Sequence, residues 1–216
     1  MKKHLILAAL AVLSIHGITS ANAATVTVTF DDLTNFVTMP SVYAGLNWGC
    51  PSGGGGSGTQ CMVPVNVPTY GVPSGYAGAA VSLPNVLSAQ TFSFGPAAGG
   101  TFTFDSAYIT GAWRDGQSVA VTGYNGSSVV DSTTLILGAA GSPSLLTVDW
   151  NNLTSVSVTA SGGTASSVYT YTSINAIGVD NLTYTSPSPV PLPAAAWLML
   201  SGLGGLGAVL RKRRVA

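Results

Sequence analysis

The sequence has 216 residues, room for one domain of ordinary size with short appendages, and only 6% of them are charged. All seven acidic residues are Asp, spread between Asp31 and Asp180 with one base, Arg114, among them, while the remaining Lys and Arg sit at the two ends. The interior is therefore acidic by about six charges, without the basic stripe that nucleic acid requires, and its lack of His, Lys and Glu excludes zinc sites, histidine-dependent nucleophiles and lysine chemistry.

Met1 to Ala23 has the three parts of a secretory leader: Lys2 and Lys3, an apolar run from Leu5 to Leu13, and a small-x-small cleavage site at Ala21-Asn22-Ala23. Its apolar run is short for a bilayer, so a mature start near Ala24 and an exported domain over 24–185 are expected.

Within that domain, Thr25-Val26-Thr27-Val28-Thr29-Phe30 alternates strictly, which predicts a strand with Val26, Val28 and Phe30 on one face. Thr101 to Phe104 repeats the pattern, and Tyr108 to Trp113 predicts a further strand. Val119–Tyr124 and Ser127–Leu137 flank Asn125-Gly126, a pair suited to a two-residue hairpin because both positions tolerate positive φ. Leu145–Asp149, Val156–Thr159, Val168–Thr172 and Ala176–Tyr184 complete the expected set, and no segment carries a helical period. Eight to ten short strands between Gly, Pro, Asn and Ser turns predict an all-β fold, an antiparallel two-sheet sandwich of jelly-roll type.

Cys50 and Cys61 are the only cysteines, and export places them where thiols oxidise. One disulfide is expected, closing a loop through Gly53-Gly54-Gly55-Gly56. That glycine run lacks the Gly-Lys-Ser/Thr ending of a phosphate loop.

Aromatic faces for stacking on sugar rings are offered by Tyr70 and Tyr76 in a Pro/Gly-rich stretch, by Trp113 at a strand end, and by Tyr169 with Tyr171, whose spacing puts both on one face of a strand. Trp48 and Trp150 read as core, and Arg114 beside Asp115 reads as a local ion pair. Flat Thr-rich strands such as Thr25-Thr27-Thr29 have no regular repeat behind them. Glycoside hydrolysis is the one enzyme class that carboxylates alone support, and only Asp31-Asp32 offers a pair, so the domain is read as noncatalytic.

The C-terminal part has its own order. A Ser-Pro-Ser-Pro spacer leads into Val190-Pro191-Leu192-Pro193, with 186–191 as spacer and start of the motif. Residues 192–210 are nearly free of polar side chains and as a helix span about 28 Å, enough for a hydrocarbon core. Arg211, Lys212, Arg213 and Arg214, in the tail 211–216, are expected to stay cytoplasmic, which leaves the β domain on the far side of the membrane.

This layout resembles the PEP-CTERM sorting signal, with Leu192 where the name-giving motif has Glu. The resemblance implies recognition by an exosortase, cleavage near the Pro-rich motif, and passage from an inner-membrane intermediate to the cell envelope, the surface or the exopolysaccharide matrix.

Phe30-Asp31-Asp32-Leu33, Tyr43-Ala44-Gly45-Leu46-Asn47-Trp48 and Val179-Asp180-Asn181-Leu182 are similar to segments of calcium-bearing, jelly-roll carbohydrate-binding domains. Calcium prefers such oxygen ligands, and the resemblance implies a structural ion held by Asp31, Asp32 and Asp180. Two functions remain open from the sequence. One is a structural or adhesive surface protein of the extracellular polysaccharide; the other is a module that recognises a particular extracellular glycan.

Overall fold

In the computed structural model of the protein, which describes residues 23–51, 61–70, 73, 75–139, 142–169 and 174–186, the first alternating run forms β1 (Ala24–Val28). Val28 and Phe30 are buried as expected, but the strand stops at Val28 and Phe30 takes a left-handed backbone with φ 62°. The chain turns there, so Asp31 and Asp32 lie in a loop. The leader up to residue 22, the glycine run, Tyr171, the motif at 190–193, the apolar segment 192–210 and the cluster at 211–214 lie outside the described residues. Among the described residues no helix is long and apolar enough to cross a membrane.

Among the described residues eleven more strands follow: β2 (Val42–Tyr43), β3 (Leu46–Gly49), β4 (Met62–Asn66), β5 (Asn85–Ala89), β6 (Thr91–Pro96), β7 (Phe102–Gly111), β8 (Arg114–Asn125), β9 (Ser128–Leu137), β10 (Ser144–Leu153), β11 (Ser155–Ala165) and β12 (Ile177–Ser186). A four-residue helix, α1 (Tyr76–Ala79), and a one-turn 3-10 helix at Val67–Thr69 precede β5. All pairings are antiparallel. One six-stranded sheet runs β10-β7-β12-β5-β4 with β1 also on β12, and the other runs β2-β3-β6-β11-β8-β9. The expected two-sheet antiparallel architecture is present.

One apolar cluster draws on both sheets, with Phe94 of β6 near its centre. Its ring centroid lies 5.4 Å from Trp48, 6.2 Å from Phe92 and 5.3 Å from Phe104, the last pair edge to face. Burying each such ring contributes about 2–3 kcal/mol. Trp48 belongs to this core and Trp150 packs half-buried against it.

Three sequence expectations shift. The segments 101–104 and 108–113 join into the single long strand β7, and Val168 and Tyr169 lie outside any strand. At the Asn125-Gly126 turn, Asn125 pairs with Ser128, so the two loop residues are Gly126 and Ser127, with φ positive (59°) only at Gly126. That is the arrangement in which glycine takes the first central position.

The central strand β12 has neighbours on both sides and a break in its middle. One side pairs with β7, while the other pairs with β5 over Ile177–Val179 and with β1 over Leu182–Ser186. Asp180 and Asn181 fall at the junction, where Asn181 has φ 45° and the register against β7 shifts. The disulfide expected from the two cysteines is present, joining Cys50 after β3 to Cys61 before β4.

Candidate functional site

Four of the five aromatic candidates singled out in the sequence, all but Tyr171, converge at one end of the sandwich. Tyr70 follows the 3-10 helix, whose turn is closed by the Asn66 side chain accepting from Thr69 N–H at 3.2 Å. Tyr76 opens α1, Trp113 sits in the turn between β7 and β8, and Tyr169 follows β11. Centroid distances are 5.5 Å for Tyr70 to Tyr76, 5.6 Å for Tyr76 to Trp113, and 6.2 Å for Trp113 to Tyr169, all edge to face. Glycine at position 75 permits this approach, since a Cβ there would lie 2.0 Å from the Gly111 carbonyl oxygen.

Convergence does not make all four rings available. Trp113 is 1% exposed and Tyr76 4%, inside a second apolar cluster with Val65, Val86 and Ala176. Trp113 Nε1 donates to the Tyr76 hydroxyl at 3.3 Å, and that hydroxyl pairs with Ser88 Oγ at 2.7 Å. Burial pushes the Tyr76 phenol above its usual range. Neither ring presents a face to a sugar. Tyr70 and Tyr169 are half-buried at the margin of the cluster.

The ring that completes the surface is one the sequence did not suggest. Phe36, in the loop after β1, is 55% exposed, and its centroid lies 5.8 Å from that of Tyr70. Its backbone is left-handed at φ 57°, a conformation that costs a non-glycine residue about 1–2 kcal/mol. The loop is held around it. Phe36 N–H donates to the Pro64 carbonyl at 2.9 Å, and Asn35 Oδ1 accepts from Asn66 N–H at 2.9 Å. Buried Asn85 donates from Nδ2 to the carbonyls of Phe30 at 3.0 Å and Leu33 at 2.7 Å, and its N–H donates to Asp31 Oδ1 at 2.9 Å. The only sequence signal for Phe36 was a large apolar side chain stranded among turn residues.

The proposed calcium ligands meet other partners. Asp31 receives Asn85 N–H, and Asp32 accepts from the Tyr43 hydroxyl, whose phenol burial and Asp32 together raise. Asp180 is fully buried, and its oxygens accept from Val81 N–H and Ser82 N–H, both at 2.7 Å, from Ser82 Oγ at 3.0 Å, and from Asn181 N–H at 2.7 Å. Burial raises its carboxyl while these donors act against the rise. Four donors occupy the lone pairs that a cation would need, so the residues do not fit a shared calcium ion. Among the described residues no group of three or more His, Cys, Asp or Glu could hold a metal.

Arg114 reaches across to β11, donating to the carbonyls of Gly162 at 2.8 Å and Gly163 at 2.6 Å, and Asp115 Oδ1 accepts from Ala139 N–H at 2.8 Å. Both residues thus tie strand ends together. On the outer face of the second sheet, pairing aligns Gly49, Ser93, Ser157, Thr122 and Ser132 in one uncharged row. A shallow groove of about 280 Å³ lies at its β3–β6 end, with Asn47, Gly49, Ser93 and Gly95 among its lining.

No family model matches the chain, and no curated protein matches it. Among solved structures it is similar to one of TmCBM61 in complex with beta-1,4-galactotriose, at 11% identity and a TM-score of 0.35, covering 72% of this chain and 100% of that one. A likeness at this level carries no argument about ligand or topology.

What the arrangement offers chemically is an apolar ledge of two rings with hydroxyl and amide groups nearby, Thr34, Asn35, Asn66 and Thr69, and no charged side chain among those six residues. Six of the seven carboxylates accept hydrogen bonds from protein donors. The charge of Asp149 on β10 acts on Asp105 of the adjacent strand β7, which accepts from Thr185 Oγ1 at 2.8 Å.

Proposed function

We propose that the chain is an exported, noncatalytic protein of the cell surface or exopolysaccharide matrix, whose β-sandwich adheres to neutral glycan through the ledge formed by Phe36 and Tyr70. The observation that carries this reading is the exposed Phe36 ring, held in a strained backbone against Tyr70 by a loop tied down on both sides. An exposed aromatic kept at a cost to stability, and seated on an aromatic cluster that fixes its neighbour, has the makings of a stacking platform for a pyranose ring. Sorting by an exosortase, with the membrane as an intermediate station, is the delivery route that the C-terminal motif supports.

A glycan array with the full-length chain tests the binding half. Retention on at least one neutral glycan, lost in Phe36→Ala and preserved in Asn47→Trp, which fills the groove on the outer sheet face, is the expected result. Retention lost in Asn47→Trp but kept in Phe36→Ala would move binding to the groove, and no retention at millimolar glycan would remove it. Mass spectrometry of the native protein tests delivery: a mature form still carrying Arg211 to Arg214 would count against exosortase processing.

A further inference from the structure

The free edges of the two sheets differ in how they are closed. β2 is two residues long and β1 five. β4 contains Pro64, and the preceding loop covers it through Phe36 N–H to the Pro64 carbonyl at 2.9 Å and Met39 N–H to the Met62 carbonyl at 3.2 Å. β10 is broken by two register shifts, with Asp149 and Asn152 in left-handed backbone. Short length, proline, cover and bulges are the devices that stop an edge from templating another chain.

β9 lacks nearly all of them. It is ten residues long and, among the described residues, terminates its sheet and pairs with β8 along one side only. It has no Pro, Gly, Lys or Arg, and its single bulge lies at its start. Ser128 to Ser132 are exposed on both faces, with Val129 at 59%, Val130 at 47% and, further along, Ile136 at 69%. The blunting features are that bulge, at Val130, and Asp131, whose Oδ1 accepts from Ser132 N–H at 2.8 Å.

We propose that β9 is a self-association edge, where a second copy of this chain adds its own β9 antiparallel across a two-fold axis and joins the two six-stranded sheets into one. The strand is complementary to itself. An axis through Thr133 sets Ser132 against Thr134 of the second copy and Val130 against its Ile136, both β-branched or small pairs suited to cross-strand contact. The same register places each Asp131 opposite Leu135, so the two like charges do not face one another. A two-fold closure uses both edges up and ends in a dimer. This inference is independent of the glycan reading, because the ledge and β9 share no residue.

Sedimentation velocity of the full-length chain is the test. A species of twice the 21.7 kDa chain mass is expected for the natural sequence, and the chain mass alone for Val130→Lys with Ile136→Lys. A natural chain that stays monomeric, or a dimer that survives both lysines, would overturn the proposal. Should the lysine variant fail to fold, Thr133→Cys supplies a second readout. Its side chain meets its own copy at the axis, so oxidation yields a covalent dimer; absence of that band would equally overturn the assignment.

Discussion

Ser82 gives two hydrogen bonds to the carboxylate of Asp180, its main-chain N–H at 2.7 Å and its hydroxyl at 3.0 Å, from a position 98 residues away in the chain. With the Val81 N–H at 2.7 Å, this fills the gap on β12 between the end of β5 and the end of β1. A single buried side chain thus replaces the missing ladder bonds. Asp180→Ala would leave three main-chain N–H groups without acceptors and should cost about 3 kcal/mol or more in urea unfolding. Asp180→Asn should cost nearly as much, since its amide nitrogen meets donors.

The same occupancy predicts the response to chelators. Because the Asp180 oxygens already hold four protein donors, EDTA should leave the melting temperature of the purified protein unchanged. A fall reversed by added calcium would show that the ion binds there after all.

The alternating run at β1 and the hairpin between β8 and β9 were legible because their signals are local, two-residue periodicity and a backbone preference, although the turn itself falls one residue later than Asn125-Gly126. The strands β2 to β6 were not. All five residues of β5 are buried, so no alternation marks it, and β4 is interrupted by Pro64. At the site, the sequence could name Tyr70, Tyr76, Trp113 and Tyr169 as aromatic candidates, yet it could not tell a ring with a free face from one enclosed by others. Phe36 was missed because its importance lies in a dihedral angle and in partners, Pro64 and Tyr70, some thirty residues away. The partners of Asp180, read in the sequence as a calcium ligand, were hidden for a related reason. Side-chain oxygens show in a sequence, whereas the main-chain donors of Val81 and Ser82 that satisfy them do not.

The disulfide should act mainly on the unfolded chain. Cys50 and Cys61 enclose a loop with a sequence separation of 11, and the loop-closure entropy removed corresponds to about 3 kcal/mol. Replacing both cysteines by Ser should lower unfolding stability by that order with the far-UV spectrum unchanged. A loss below about 1 kcal/mol would mean that the glycine-rich loop is already restricted when reduced.

Acidification should expose Asp105. Burial holds its carboxyl above the ordinary aspartate value, the Thr185 bond lowers it in part, and the charge of Asp149 raises it. The folded chain therefore binds this proton at a higher pH than the unfolded chain. The stability contributed by the group is greatest below that window and declines as pH rises through it. In Asp149→Asn the Asp105 carboxyl should titrate lower by NMR, with a flatter stability profile over the same window. An unchanged Asp105 titration would show that burial alone sets the shift.

Phe36 offers the sharpest separation of structural from functional roles. A core aromatic cut back to a small polar side chain typically costs about 3–5 kcal/mol. Phe36 instead exposes more than half its surface and occupies a left-handed backbone at φ 57° that Asn tolerates well. In Phe36→Asn the relief of about 1–2 kcal/mol of backbone strain opposes the lost contact with Tyr70, itself about 0.5–1.5 kcal/mol. Thermal unfolding should therefore show equal or higher stability, while glycan retention is lost. A ring kept for folding would give the opposite pair of results, a destabilised domain that still binds whenever it is folded, and that outcome would reassign the ledge to the scaffold.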